Sequence, residues 1–311
     1  MQKAPALLLT AGVVLTALTG CAQAPGSDCE SPVTSGDASN LIEASGALGS
    51  TPTVDFPTPL KTSKTQVSTL IEGKGAPVTD NQLVQMSFSF FNGTTGEPVE
   101  EGAYAEPGIY LPSQLLPGMA DSIECATVGS RIAAALTPAD AFGEEGSAQL
   151  GVAGDDSIVM VADITDSFLA KANGANTPVF QSGFPSVVTA EDGTPGITIP
   201  TSEPPTELKV ATLKTGDGDK VTKNTRVVVH YTGALWADNS IFDTSWDDGT
   251  PAVFSLDGIV PGLATALEGQ TVGSQIVAIV PPELGYGEQG SGAIPPASTL
   301  VFVVDILGTV G

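Results

Sequence analysis

Basic side chains are scarce. The 311-residue chain sets 11 Lys and Arg against 35 Asp and Glu, for a formal net charge of -24. So few cations cannot build the stripe that neutralises phosphates, so nucleic acid is not expected as a partner. Polybasic attachment to anionic lipid is excluded on the same ground. Charged residues make up only 15% of the chain, below the roughly 25% of ordinary domains; the acidity comes from missing Lys and Arg, not from crowded carboxylates. Histidine occurs once and cysteine three times, with no Cys-x-x-Cys pair, so a His/Cys metal centre cannot be composed. Asp217-Gly218-Asp219 and Asp247-Asp248-Gly249 read as turns rather than calcium loops. No metal and no cofactor is expected.

What is present begins with an address. Lys3 precedes an apolar run from Ala4 to Leu18 that is too short to span a bilayer comfortably. The run ends in Leu18-Thr19-Gly20-Cys21, which resembles the bacterial lipobox. That resemblance implies a lipoprotein signal peptide over residues 1–20 and lipidation of Cys21. The mature protein would then sit at the cell membrane, lipid-anchored on the extracytoplasmic side; two acyl chains suffice for stable anchoring. In that compartment Cys29 and Cys125 either pair as a disulfide or remain two thiols. Ser, Gly and Pro dominate residues 21–64, the composition of a flexible tether.

The remainder repeats itself. Val67-Ser68-Thr69-Leu70 through Gly75 aligns without gaps on Val210-Ala211-Thr212-Leu213 through Gly218. Further on, Pro117-Gly118 meets Pro261-Gly262, Val128-Gly129-Ser130 meets Val272-Gly273-Ser274, and Asp163-Ile164 meets Asp305-Ile306. Two copies of one fold are expected, over 65–168 and 206–311, with a Gly/Pro/Thr/Ser-rich linker over 169–205. Each copy reads as mostly strand. In the second, Arg226 to Thr232 is a β-branched run ended by Gly233; Ser274 to Val280 and Thr299 to Leu307 are further runs. One segment is predicted helical, opened by Pro261 and closed by Gly269. An antiparallel sheet with one buried face, covered by that helix, is the economical architecture.

In the second copy Val229-His230-Tyr231-Thr232-Gly233, Phe242-Asp243, Val260-Pro261-Gly262-Leu263, Gly285-Tyr286-Gly287, Ile294-Pro295-Pro296 and Leu300-Val301-Phe302 follow in order. This set resembles the FKBP-type peptidyl-prolyl cis-trans isomerases, here a lipid-anchored bacterial, actinobacterial, member. The resemblance runs from about Thr206 to Gly311; the first copy shares it mainly through its likeness to the second. It implies an α+β fold of two tandem FKBP-like domains, each an antiparallel twisted β-sheet wrapped over one short helix. Its substrates would be proline-containing unfolded or extended polypeptides, with macrolide inhibitors as further ligands and a monomer as the working form. A catalytically weak peptide-binding chaperone is the alternative, distinguished by whether folding assistance survives loss of isomerisation.

The chemistry suits these residue types. An X-Pro amide turns over a barrier of roughly 18–20 kcal/mol because resonance stiffens its C–N bond. The twisted amide has lost that resonance and its charge separation, so an apolar, water-poor pocket favours it. The resemblance implies catalysis by Asp243, Tyr231, Tyr286 and Phe302, with substrate held by Phe242, Phe254, Ile259, Val260, Leu263, Ala293 and Ile294. Leu263 stands where many family members carry a Trp, and Ala252 where an aromatic often sits. His230 alternates with Tyr231 and should face the opposite side of the sheet. Trp236 and Trp246 flank Phe242-Asp243 and serve either peptide contact or loop packing. In the first copy Phe88, Val99, Glu100 and Phe142 replace Tyr231, Phe242, Asp243 and Tyr286. Met119 replaces Leu263, Met160 replaces Phe302, and Ile294-Pro295-Pro296 has no counterpart. The first copy is therefore expected to turn over poorly.

Overall fold

The structure, a computed structural model, describes residues 29–79, 82–178 and 182–311. The stretch expected to be a signal peptide, with Cys21, lies outside the described residues. In chain order the strands are β1 (Glu43–Ser45), β2 (Thr53–Asp55), β3 (Gln66–Ile71), β4 (Val84–Asn92), β5 (Pro98–Glu100), β6 (Gly108–Tyr110), β7 (Arg131–Leu136) and β8 (Ile158–Ser167). They continue as β9 (Ala175–Asn176), β10 (Ser186–Thr189), β11 (Pro195–Thr198), β12 (Lys209–Thr215), β13 (Arg226–Leu235), β14 (Ile241–Thr244), β15 (Ala252–Ser255), β16 (Gln275–Val280) and β17 (Leu300–Val310). Helix α1 covers Pro117–Ile123 and α2 covers Pro261–Leu267.

Two antiparallel sheets share one strand order. The first runs β3-β7-β8-β4-β5, with β6 also on β4; the second runs β12-β16-β17-β13-β14, with β15 also on β13 and β9 added beyond β12. Even the irregularities recur, between Gln85 and Met86 on β4 and between Val228 and Val229 on β13. Each sheet wraps one short α-helix, an α+β arrangement. In α2 Pro261 opens the first turn, and Leu263, Ala266 and Leu267 are buried against the sheet. Gly269, at φ +82°, follows the last turn. In the first copy the corresponding left-handed position is taken by Cys125, at φ 63°, a conformation that costs an L side chain energy.

Sheet periodicity sorts the cores. Ile276, Ala278, Val280, Leu300, Phe302 and Val304 point to α2, whereas Val277, Ile279, Val301 and Val303 point away from it. Likewise Ile132, Ala134, Leu136, Ile158 and Met160 face α1 while Ala133, Ala135, Val159 and Val161 do not. Both faces are buried, contrary to the one-faced sheets expected. The covers come from the stretches whose composition predicts tether and linker. Ala38, Ile42, Val54 and Phe56, with the β1–β2 hairpin, lie on the first sheet, and Phe184, Val187, Ile197 and Ile199, with the β10–β11 hairpin, lie on the second. Neither stretch is a free connector. The unbroken apolar runs of β7 and β16, buried at every position, explain why: such strands need cover on both sides.

Each cover is pinned by an aspartate at the same register. Asp163 pairs with Arg131, both buried, at 2.6 Å, and accepts the Gly49 N–H at 2.7 Å; Arg131 also donates to the carbonyls of Gly46, Ala47 and Ser50. Asp305 accepts from Gln275 at 2.7 Å and from the Ala172 N–H at 2.8 Å. Cys29 and Cys125 form a disulfide, with Cα atoms 5.6 Å apart, that ties the start of the first cover to the end of α1. Between the sheets Leu83, Leu111 and Phe168 close one cluster with Val228, Leu307 and Val310.

Candidate functional site

β13 carries the centre of the site. Its inward positions are Val227, Val229, Tyr231 and Gly233, which pack against or toward the α2 core. Gly233, expected to end the strand, lies inside it, opposite Phe302 on one side and Asp243 on the other. Its missing side chain makes room for a neighbour. A Cβ there would come within 2.5 Å of the tip of the Phe242 ring, so that ring lies directly over the glycine.

The predicted aromatic residues do come together. Tyr231 and Phe254 have ring centroids 5.4 Å apart, and Phe242 meets Phe302 edge-on at 5.7 Å and 88°. Half-buried Ile259 and Val260, and buried Leu263, line the same cluster. Phe302 and Leu263 are each 4% exposed, so they form floor rather than rim. Val260 precedes α2, where its carbonyl accepts from Leu263 and Ala264. Its own N–H falls outside the helical ladder. Aromatic walls of this kind offer area with defined edge and face geometry, suited to a flat aliphatic ring.

One polar pair stands at the rim. The Tyr231 hydroxyl donates to Asp243 Oδ2 at 2.5 Å. Burial first, then the Asp243 carboxylate, push the Tyr231 hydroxyl well above the usual phenol range, with smaller pushes from Tyr286 and Asp248. Tyr231 thus keeps its proton and is the donor of this pair. Tyr286 is 39% exposed and close enough to act on the Tyr231 hydroxyl. The flap is a tight turn in which Ser291 and Ile294 exchange backbone hydrogen bonds at 3.0 and 2.9 Å. Ile294 points into the core while Ala293 is exposed.

Residues on the other face are structural. His230 shares a hydrogen bond with Ser245 Oγ at 2.8 Å and stacks on Trp246 at 4.0 Å. Ser245 Oγ also accepts the Tyr231 N–H at 2.9 Å, so this pair braces the backbone beneath the site. Trp236 is buried in the outer cluster and donates to the Ser202 carbonyl. Neither tryptophan belongs to the basin.

The first sheet repeats the layout with other side chains. Register sets Phe88, Val99, Glu100 and Met160 at the places of Tyr231, Phe242, Asp243 and Phe302. Tyr110 takes the place of Phe254, its ring 5.6 Å from Phe88. A flap counterpart exists although the sequence shows none: Ser147 and Val152 exchange backbone bonds at 2.8 and 3.0 Å, and buried Val152 stands for Ile294. The turn is two residues longer and lacks the Pro-Pro, so sequence alignment passes over it. Sequence reasoning also missed Gly233; its one signal is a glycine at an inward position of a β-branched strand.

A family model for FKBP-type peptidyl-prolyl cis-trans isomerase matches residues 218–307. The chain is 35% identical over 117 residues to an FK506-binding protein of Streptomyces anulatus, covering 36% of this chain and 94% of that protein. It is 46% identical over 101 residues to the FKBP-type 22 kDa peptidyl-prolyl cis-trans isomerase of Escherichia coli (strain K12), covering 32% of this chain. There it spans about half of the relative, 48% of its length. The crystal structure of the three FKBP domains of wheat FKBP73 aligns over 79% of this chain and 94% of that one, at 20% identity and a TM-score of 0.38. The chain belongs to the FKBP-type peptidyl-prolyl cis-trans isomerase family.

Proposed function

We propose that this chain accelerates rotation of X-Pro amides in the basin of the second sheet. The observation that carries the reading is the Tyr231–Asp243 hydrogen bond standing over the rings of Tyr231, Phe242, Phe254 and Phe302. The basin takes the prolyl ring and excludes water from the amide, which favours the twisted form over the charge-separated planar one. Asp243, held by Tyr231, is a fixed polar wall toward the carbonyl that swings. The Val260 N–H and the Tyr286 hydroxyl bind the flanking carbonyls, and Ala293, Ile294 and Pro295 close over the proline. Positioning and desolvation do the work; no bond is made or broken.

Residues 65–168 and 206–311 are tandem copies of this fold, the first degenerate, a reading supported by their common strand order. The enzyme acts outside the cytosol on exported, proline-containing polypeptides, as a monomer held to the membrane by lipid on Cys21. The Cys29–Cys125 disulfide supports an oxidising compartment. Macrolide inhibitors fit the same apolar basin.

The test is a prolyl-peptide isomerisation assay on the full chain and on Asp243→Ala. A hydrogen bond to a charged group is worth about 1.5–3 kcal/mol, so kcat/KM should fall roughly 10- to 100-fold with the fold intact. A variant rate within about twofold of the parent refutes the assignment. If the variant loses isomerisation yet assists client folding as well as the parent, the chain works as a peptide-binding chaperone instead.

A further inference from the structure

The two basins differ by more than their polar groups. Gly233 and Phe90 hold the same place: each lies opposite its sheet's β17 or β8 floor residue, Phe302 or Met160, and opposite the edge-strand carboxylate, Asp243 or Glu100. Their edge-strand neighbours are Phe242 in the second sheet and Val99 in the first. Large and small are exchanged. In the second sheet the ring stands on the edge strand and leans over a glycine. In the first it stands on the central strand beside a valine.

That exchange moves the ring into the basin. Phe90 is 3% exposed, its ring 5.0 Å from Phe88 and 6.4 Å from Phe142. Phe88 and Phe142 are the counterparts of Tyr231 and Tyr286, the walls between which a prolyl ring would enter. A phenol beside a carboxylate is meanwhile not lost from the first sheet: Tyr110 replaces Phe254, and burial together with the Glu100 carboxylate raises its hydroxyl. What the first sheet lacks is the glycine: a ring is rooted at that place instead.

We infer that Phe90 plugs the first basin and that Gly233 is the positioning residue that keeps the second one open, by letting the Phe242 ring lie back over β13. The inference rests on the second basin being the peptide site, and it names one position that decides whether a copy of this fold can accept a prolyl ring.

A double-mutant cycle in the full chain tests it, with Gly233→Phe, Phe242→Val and the pair, read by melting temperature and by binding of the tetrapeptide Ala-Leu-Pro-Phe. Gly233→Phe alone drives its Cβ into the Phe242 ring and should lower the melting temperature by several degrees, as overpacking does. Adding Phe242→Val recreates the first sheet's arrangement and should restore the melting temperature to within about 3 °C of the parent. Tetrapeptide affinity in the double variant should nonetheless fall at least ~30-fold, and further than in Phe242→Val alone, with Tyr231 and Asp243 unaltered. A double variant no more stable than Gly233→Phe overturns the ring exchange. One that is stable and still binds overturns the plug. A parent chain that neither binds nor isomerises the tetrapeptide would overturn the proposed function instead, while the stability cycle still decides the exchange.

Discussion

The chain has one histidine, and its surroundings make it a measurable source of acid sensitivity. His230 is buried at 3% exposure, stacked on Trp246 and bonded to Ser245. Desolvation lowers its pKa to about 4 from the ordinary 6.5, with Asp248 opposing. Between those values the unfolded chain binds a proton that the folded chain refuses, so stability falls as pH drops through 6.5 and levels off below about 4. Full separation of the two values corresponds to about 3 kcal/mol, and the share lost between pH 7 and pH 5 is about 2 kcal/mol. Denaturant unfolding at both pH values checks this, comparing the parent with His230→Gln. The substitution keeps a hydrogen-bonding group for Ser245 and removes the titration. Other carboxylates shift both proteins alike, so the parent should lose about 2 kcal/mol more than the variant. Equal losses would refute the reasoning. So would a sole imidazole resonance titrating near 6.5 in the folded state. Because Ser245 also receives the Tyr231 N–H, the titrating imidazole is coupled to the strand that carries Tyr231.

Four further substitutions, at Asp163, Asp305 and Cys125, have expected outcomes. Asp163→Asn leaves Arg131 charged and unmatched, so unfolding free energy should drop by about 3–5 kcal/mol. Asp305→Asn at the equivalent place should cost under about 1 kcal/mol, since its partner Gln275 is neutral and burial already pushes the Asp305 carboxyl up; chemical denaturation of both variants decides it. Cys125→Ala should cost about 2–4 kcal/mol through loss of a cross-link spanning 96 residues. Cys125→Gly should cost less than Cys125→Ala, because the position is left-handed; the reverse order would remove backbone strain from the account.

The repeat, the strands and α2 were readable because their signals are local: β-branched runs, Pro261 at the start of a turn and Gly269 past its end. Tyr231, Phe242, Asp243 and Phe302 were readable as an ordered set. The covers over the outer faces were not. Ser, Gly and Pro outnumber Ile42, Val54, Phe56, Phe184 and Ile197 in those stretches, so composition spoke for a tether and a linker. The contrary evidence lay elsewhere, in β7 and β16, whose apolar runs have no solvent face to spare. Gly233 and the Ser147–Val152 flap were hidden for another reason. Their meaning depends on which residue lies across the ladder, and pairing between distant strands leaves no mark in a single chain.

The cover over the first sheet also sets a leash length. With the chain cross-linked at Cys29 and packed from Ala38 onward, only seven residues, 22–28, and so eight Cα-to-Cα steps, separate the proposed lipid anchor on Cys21 from the folded body. Fully stretched, that segment reaches about 28 Å, less than the roughly 30 Å of a bilayer's own hydrocarbon core. An enzyme on so short a leash cannot range through an envelope. On the proposed anchor it would work a thin shell against the membrane, where chains emerging from export would first pass, and its concentration there would be set by area rather than by volume.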